Sequence, residues 1–172
     1  VDYHILMGVR TSNVAYITPH GGGIESGCTE LTMFSAGLVD SYYVFEGWRT
    51  SNNGELHLTS THFDEPNGLA FMRKVDYAVS YHGYADSVLK NTKVGGLDEG
   101  LKSIIHNRLI AAGFSSELEP PDSIIAGIDP ENIVNRTTRG KGVQLELSTA
   151  QRNAFFTTNT RAGRRNSVTP EF

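Results

Sequence analysis

The sequence predicts an α/β fold: a mixed, largely parallel, twisted sheet flanked by helices, in a single domain over residues 1–172. Three observations predict it. Short β-rich runs alternate with helical runs, the order that builds a parallel sheet with helices on its faces. Two of the runs, "YAVSY" (77–81) and "SIIAGI" (123–128), are nearly continuous apolar, as strands covered on both faces are. The residues best suited to chemistry fall at the ends of runs, where ligands bind in open α/β sheets.

The first strand is expected in "VAYITP" (14–19), and a helix follows over 29–37. Strands are then expected at "SYYVFEG" (41–47) and "LHLTSTH" (56–62). In the latter, alternation sends His57, Thr59 and Thr61 to one face and Leu56, Leu58 and His62 to the other. A helix over 68–75 precedes the strand 77–83. The clearest helix is "DEGLKSIIHNRLIAA" (98–112), with Leu101, Ile104, Ile105 and Leu109 as one stripe, acids at its start and Gly113 as its stop. Strands 123–128 and 143–148 ("VQLELS") follow. A last helix starts at Ser148, where Ser148 and Gln151 have capping-box spacing.

At 172 residues the chain is long enough to bury a core, and 38% apolar with 20% charged residues is ordinary for a soluble protein. No apolar run approaches the roughly 20 residues of a membrane helix, and Val1–Arg10 lacks the pattern of a signal peptide. A soluble monomer is expected, with no membrane partner, either cytoplasmic or released by lysis. The chain opens on valine and stops in "RRNSVTPEF", so trimmed termini are expected. One cysteine, Cys28, rules out an internal disulfide and a cysteine-built metal cage; as a small residue it is expected to be buried. The net charge of -4 is uneven: residues 136–165 hold seven of the fifteen Lys and Arg but a single acid, Glu146. Such a stretch is either a solvated face or a place where an anion docks.

The stretch "TPHGGGIESG" (18–27) sets His20 and Glu25 on either side of three glycines. Consecutive glycines are costly to order, so a sharp turn or a close backbone approach is expected there. A second strand-terminal histidine, His82, precedes Gly83. Two imidazoles and one carboxylate are the ligands of a catalytic zinc that keeps a position open for water. His-x4-Glu alone is also compatible with a surface histidine and a carboxylate drawn to a helix start. Glu146 alternates with Leu145 and Leu147 and so projects with Gln144. It is either half of an ion pair with Arg152 or Arg139, or a general base acting on water. Asn135 and Arg136 precede that strand, and the arginine fork suits a carboxylate. His62 lies near the same rim, whereas His4, His57 and His106 look incidental.

Taken together, "PHGGGIE", "THFDEP", "SYHG", "VGGLD", "NIVNRTTRGKGVQLELS" and the following "QR" resemble the phage-associated poly-γ-glutamate hydrolase family, from about Tyr3 to Phe156. The resemblance implies a zinc-carboxypeptidase-like fold and cleavage of the γ-amide bonds of poly-γ-glutamic acid. It implies one Zn2+ on His20, Glu25 and His82, Glu146 as general base, and Asn135 and Arg136 on a substrate carboxylate. Zinc carboxypeptidases use His-x2-Glu, and the glycines here absorb two further residues. The substrate would be polyanionic, and the basic stretch, with Arg139 and Arg152, would help to hold it.

Other readings have less behind them. A serine esterase could use "HGGG" as an oxyanion loop, but "MFSAG" lacks the first glycine of a nucleophile elbow. No phosphate-loop or dinucleotide fingerprint is present. A nucleic-acid-binding protein could use the basic stretch, yet no recognition motif accompanies those arginines. Within the enzyme class the alternative is another zinc amidohydrolase or carboxypeptidase acting on N-acyl or peptide-linked acidic amino acids.

Overall fold

The computed structural model describes all 172 residues as a mixed seven-stranded sheet with four helices. In chain order the elements are β1 (Tyr3–Gly8), β2 (Val14–Gly22), α1 (Cys28–Ala36), β3 (Ser41–Gly47), α2 (Pro66–Met72), β4 (Tyr77–Tyr84), β5 (Thr92–Gly95), α3 (Glu99–Ala111), β6 (Ser116–Leu118), β7 (Val143–Ser148) and α4 (Thr149–Ala154). The sheet runs β1-β3-β2-β4-β7-β5-β6. Its central four strands, β3, β2, β4 and β7, are mutually parallel, while β1 pairs antiparallel to β3, β5 antiparallel to β7, and β6 parallel to β5. The carboxyl ends of β2, β4 and β7 therefore lie side by side, and those ends carry His20, His82 and Glu146.

Each face of the sheet has its own core. Ala15, Ile17, Tyr43, Phe71, Met72 and Ala78 pack under α2 on one face. Leu31, Val79, Val143, Leu145, Leu147 and Phe155 pack on the other, with Leu101, Ile105 and Leu109 of α3 against them. Burial of these side chains is the main source of stability, at roughly 25 cal/mol per Å2 of apolar surface removed from water. Cys28 is wholly buried, as its size suggests.

The helices start where their caps are. Asp98 accepts from the Leu101 N–H, Ser148 from the Gln151 N–H, and Glu65 from the Asn67 and Gly68 N–H groups ahead of Pro66. Gly113, at φ 89°, closes the region after α3. Within the expected α3 stripe, Ile104 turns outward and is 59% exposed.

Two expected strands are not strands. Residues 56–62 form single 3-10 turns, Asn53–Leu56 and Ser60–His62, entered through Asn52 at φ 59°. Leu58 is exposed, so the alternation has no core to face. Residues 123–128 form an irregular loop whose backbone is held by side-chain amides and a single turn N–H, with no strand ladder. Its carbonyls at Ile125, Ala126 and Gly127 accept from Gln144 Nε2, the Gly96 N–H and Asn135 Nδ2. Gly127 at φ 66° and Pro120–Pro121 upstream disfavour a ladder. Both segments cross the carboxyl end of the sheet and become walls of a cavity. Conversely β1, β5 and β6 were not expected, the last two because four and three residues show no readable period.

Candidate metal centre

His20 ends the regular part of β2, after Pro19, with 2% of its surface exposed. The register of β2 against β3 shifts between Thr18 and Gly21, and Gly22 takes φ 67°. A Cβ on Gly22 would sit 2.4 Å from the Gly47 carbonyl oxygen, so a side chain is excluded by both conformation and space. The Glu25 N–H then donates to the His20 carbonyl at 2.8 Å, closing a turn that returns the carboxylate to the imidazole. Fully buried Arg164 braces this turn from behind. It donates to the Gly22 carbonyl at 3.1 Å, and its Nε lies 2.9 Å from Glu30 Oε1. That Nε–H points off the carboxylate, so the contact is a charge pair and not an aligned hydrogen bond.

His82, also 2% exposed, lies on β4 with Glu146 directly opposite on β7. His20 Nδ1 and His82 Nδ1 are 3.0 Å apart. Glu25 Oε1 lies 3.1 Å from His20 Nδ1 and Oε2 lies 3.7 Å from His82 Nδ1. The Gly83 N–H donates to Glu25 Oε2 at 2.9 Å and sets the carboxylate plane. His20 Nε2 lies 2.7 Å from the Leu58 carbonyl. A carbonyl only accepts, so Nε2 carries the proton and Nδ1 presents its lone pair. One ligand atom from each of His20, Glu25 and His82 lies within 4.8 Å of the others. Lone pairs and a carboxylate that converge in a buried place repel one another unless a cation sits between them, so the donor set fits a metal ion.

The electrostatics agree. Burial, and then His20 beside it, push His82 down to about 3, so its imidazole is neutral and able to ligate. Burial alone would raise the Glu25 carboxyl, but the imidazoles of His20, His57 and His82 around it outweigh burial and hold the group well below the usual carboxylate range. Glu146 goes the other way: burial first, then the charge of Glu25, push it up to about 8. Two carboxylates a strand apart thus differ widely in proton affinity, the pattern that separates a ligand from a proton-transfer group. Gln144 Nε2 donates to Glu146 Oε1 at 3.0 Å, and Asn132 Nδ2 to Gln144 Oε1 at 2.8 Å, fixing the orientation of the carboxylate.

All four residues line one cavity of about 380 Å3, walled by His57–Thr61 on one side and Ser123–Asp129 on the other. The other expected site residues do not reach it. Asn135 has its amide engaged by the Gly127 and Asp129 carbonyls and the Gly142 N–H, which makes it a scaffold for the loop. Arg136 pairs with Glu131 and Arg139 with Asp98, the latter at 2.7 Å. Arg152 is buried behind the cavity and donates to the carbonyls of Ser26 and Leu147; it forms no ion pair with Glu146. His62 is exposed in its turn and does not line the cavity. The expected positive surface is corrected for the same reason: basic residues clustered in the sequence meet acids from elsewhere in the chain, as Arg164 meets Glu30 and Lys141 meets Asp98.

The sequence reading missed His57. Its ring stacks on His20 with centroids 3.9 Å apart, and its Nε2 lies 3.4 Å from Glu25 Oε1. The signal was the polar face His57-Thr59-Thr61, which was assigned to a strand surface when it is a cavity wall.

The family described as poly-γ-glutamate hydrolase matches residues 1–172. This chain belongs to the poly-γ-glutamate hydrolase family. Among its relatives in Bacillus subtilis (strain 168), the SPbeta prophage-derived UPF0714 protein YoqZ is 46% identical over 166 residues, covering 95% of this chain and 59% of that protein. The UPF0714 protein YmaC is 42% identical over 156 residues, covering 90% of this chain and 66% of YmaC. The chain thus spans about three-fifths to two-thirds of the length of these curated relatives. A bacteriophage poly-γ-glutamate hydrolase structure superimposes with a TM-score of 0.94 at 44% identity, covering 99% of this chain and 83% of that one. The structure of YndL in its zinc-free apo form gives a TM-score of 0.94 at 35% identity, covering 98% and 83%. The expected α/β fold is therefore the fold of this family. No helix is long and apolar enough to cross a membrane.

Proposed function

We propose that this member of the poly-γ-glutamate hydrolase family cleaves γ-amide bonds of poly-γ-glutamic acid with one zinc ion held by His20, Glu25 and His82. The observation that carries the reading is the convergence of three ligand atoms within 4.8 Å, those of the two histidines buried, with Glu146 in register beside His82 in the same cavity. The choice of zinc rests on a His2Glu donor set and on the zinc-free description of the YndL structure. A divalent ion in this place supplies Lewis-acid polarisation of the amide carbonyl and acidifies water.

The chain's own residues do the rest. Glu146 takes the proton of the attacking water and returns it to the leaving nitrogen. Its Oε1 is occupied by Gln144, so Oε2 is the oxygen free for proton transfer. The Leu58 carbonyl keeps His20 in the tautomer that ligates, and Gly83 keeps Glu25 turned toward the histidines. The walls 57–61 and 123–129 narrow the access of bulk water to the carbonyl carbon.

The reading is tested by following polyglutamate chain length on a gel. The purified protein shortens the polymer, a chelator stops the shortening, and added zinc restores it. Shortening that persists in chelator overturns the metal-dependent reading.

His57 supports the ligand Glu25. Removing such a supporting partner costs metal affinity about 10–100-fold. His57→Ala is expected to weaken zinc binding in a competition titration by that order, and His57→Gln, which keeps a donor, to recover part of it. Unchanged affinity in His57→Ala would show that the stack on His20 is packing alone.

A further inference from the structure

The cavity contains no lysine or arginine, yet its own acids, Glu25, Glu146 and Asp129, face a substrate proposed to carry a carboxylate on every residue. Most of the basic stretch is held elsewhere: Arg136 by Glu131, Arg139 and Lys141 by Asp98, Arg164 by Glu30 and Arg152 by carbonyls. A cation must reach the cavity from another element.

The sheet register places one beside the cavity, next to the lining residues Tyr84 and Glu146. His82 on β4 pairs with Glu146 on β7, and Glu146 pairs with Lys93 on β5. Residues directly opposite across neighbouring strands share a face, with Cβ atoms about 5 Å apart. His82, Glu146 and Lys93 thus form one row across three strands, running from the metal ligands past the base to an ammonium. Lys93 Nζ lies 5.4 Å from the centre of the Tyr84 ring, and Tyr84 lines the cavity two residues beyond His82. Nζ pairs with Glu119 Oε1 at 3.0 Å; the Glu119 side chain is 4% exposed and that of Lys93 27%. Glu117, opposite Lys93 on β6, is hydrogen-bonded to Asn91. An ammonium has three donors, so Lys93 retains donors on its open side, and Glu119 keeps it protonated.

We propose that Lys93, backed by Glu119 and set over Tyr84, is the subsite for a substrate α-carboxylate on the leaving-amine side of the scissile bond. The direction follows from the row: Glu146 returns its proton to the leaving nitrogen, and Lys93 stands beyond Glu146 from the histidines. In a γ-linked chain that nitrogen is bonded to the carbon bearing the next α-carboxylate. The subsite would favour γ-linked glutamate over an uncharged chain and would align the leaving residue on the base.

The inference rests on the proposed polyglutamate hydrolysis. It is tested by steady-state kinetics on polyglutamate for the parent, Lys93→Met, Lys93→Arg and Glu119→Gln, with thermal midpoints and zinc content measured alongside. Lys93→Met is expected to lower kcat/KM about 10-fold, carried by KM, the loss for one hydrogen bond to a charged group. It should also flatten the salt dependence of KM. Lys93→Arg is expected to keep most of the parent value. Glu119→Gln frees the ammonium from its acid and is expected to lower KM. A parent KM in folded Lys93→Met overturns the proposal, because a structural Lys93–Glu119 pair changes only the thermal midpoint. Should Lys93→Met fail to fold, a KM in Glu119→Gln no lower than the parent's overturns it. A parent protein that never shortens polyglutamate removes the functional reading itself, an outcome distinct from both.

Discussion

Glu146→Gln is expected to fold, to bind zinc with the parent's stoichiometry, and to lose about a thousandfold in kcat, within the range for removing a proton-transfer group. The substitution is nearly isosteric and removes only the group that accepts a proton. Without the ion, burial and the charge of Glu25 raise the Glu146 carboxyl to about 8, so the folded protein tolerates a neutral side chain there. The amide loses no partner that it cannot replace, since Gln144 offers an N–H to its oxygen. A loss confined to kcat, with KM and zinc content kept, is the signature of an interaction made only on the way to the transition state. Turnover near the parent level would remove Glu146 from the reaction.

Loss of a ligand has the second large effect, and it appears in metal binding before it appears in turnover. His82→Ala removes a neutral, 2%-exposed imidazole with Nδ1 3.0 Å from that of His20. Zinc affinity is expected to fall by more than the roughly 10–100-fold typical of a supporting partner, and polyglutamate cleavage to fall with it. A cavity remains where the ring was, so some stability is lost as well. Comparing His82→Ala with Glu146→Gln separates the roles: the first loses the ion and turnover together, the second turnover alone. Zinc retained at full affinity by His82→Ala would exclude this histidine as a ligand.

The candidate metal site was legible because its parts are local. Strand-terminal His20 and His82, the glycine turn that returns Glu25, and the alternation that turns Glu146 to the face opposite its two flanking leucines are all short-range patterns, and parallel pairing then puts strand ends together. The alternation in 56–62 misled because periodicity reports only that two faces differ, and here neither face meets a core. The apolar run 123–128 misled because its isoleucines cover a cavity, with Ile124 fully exposed, and do not fill a core. The arginines misled for an electrostatic reason. A cluster of like charge in sequence says nothing about the acids that tertiary folding brings to it, and Glu30, Asp98 and Glu131 neutralise what looked like an anion-binding stretch. Lys93 and His57 were invisible for the converse reason: each matters only through a neighbour on a different element, Glu146 in one case and His20 in the other.

The most direct measurement is elemental analysis of the purified protein beside its Glu25→Ala variant after dialysis against trace zinc. The His20–Glu25–His82 centre requires one zinc per chain in the parent and a substoichiometric amount in the variant. An equal zinc content in the two proteins, or none in either, would contradict it.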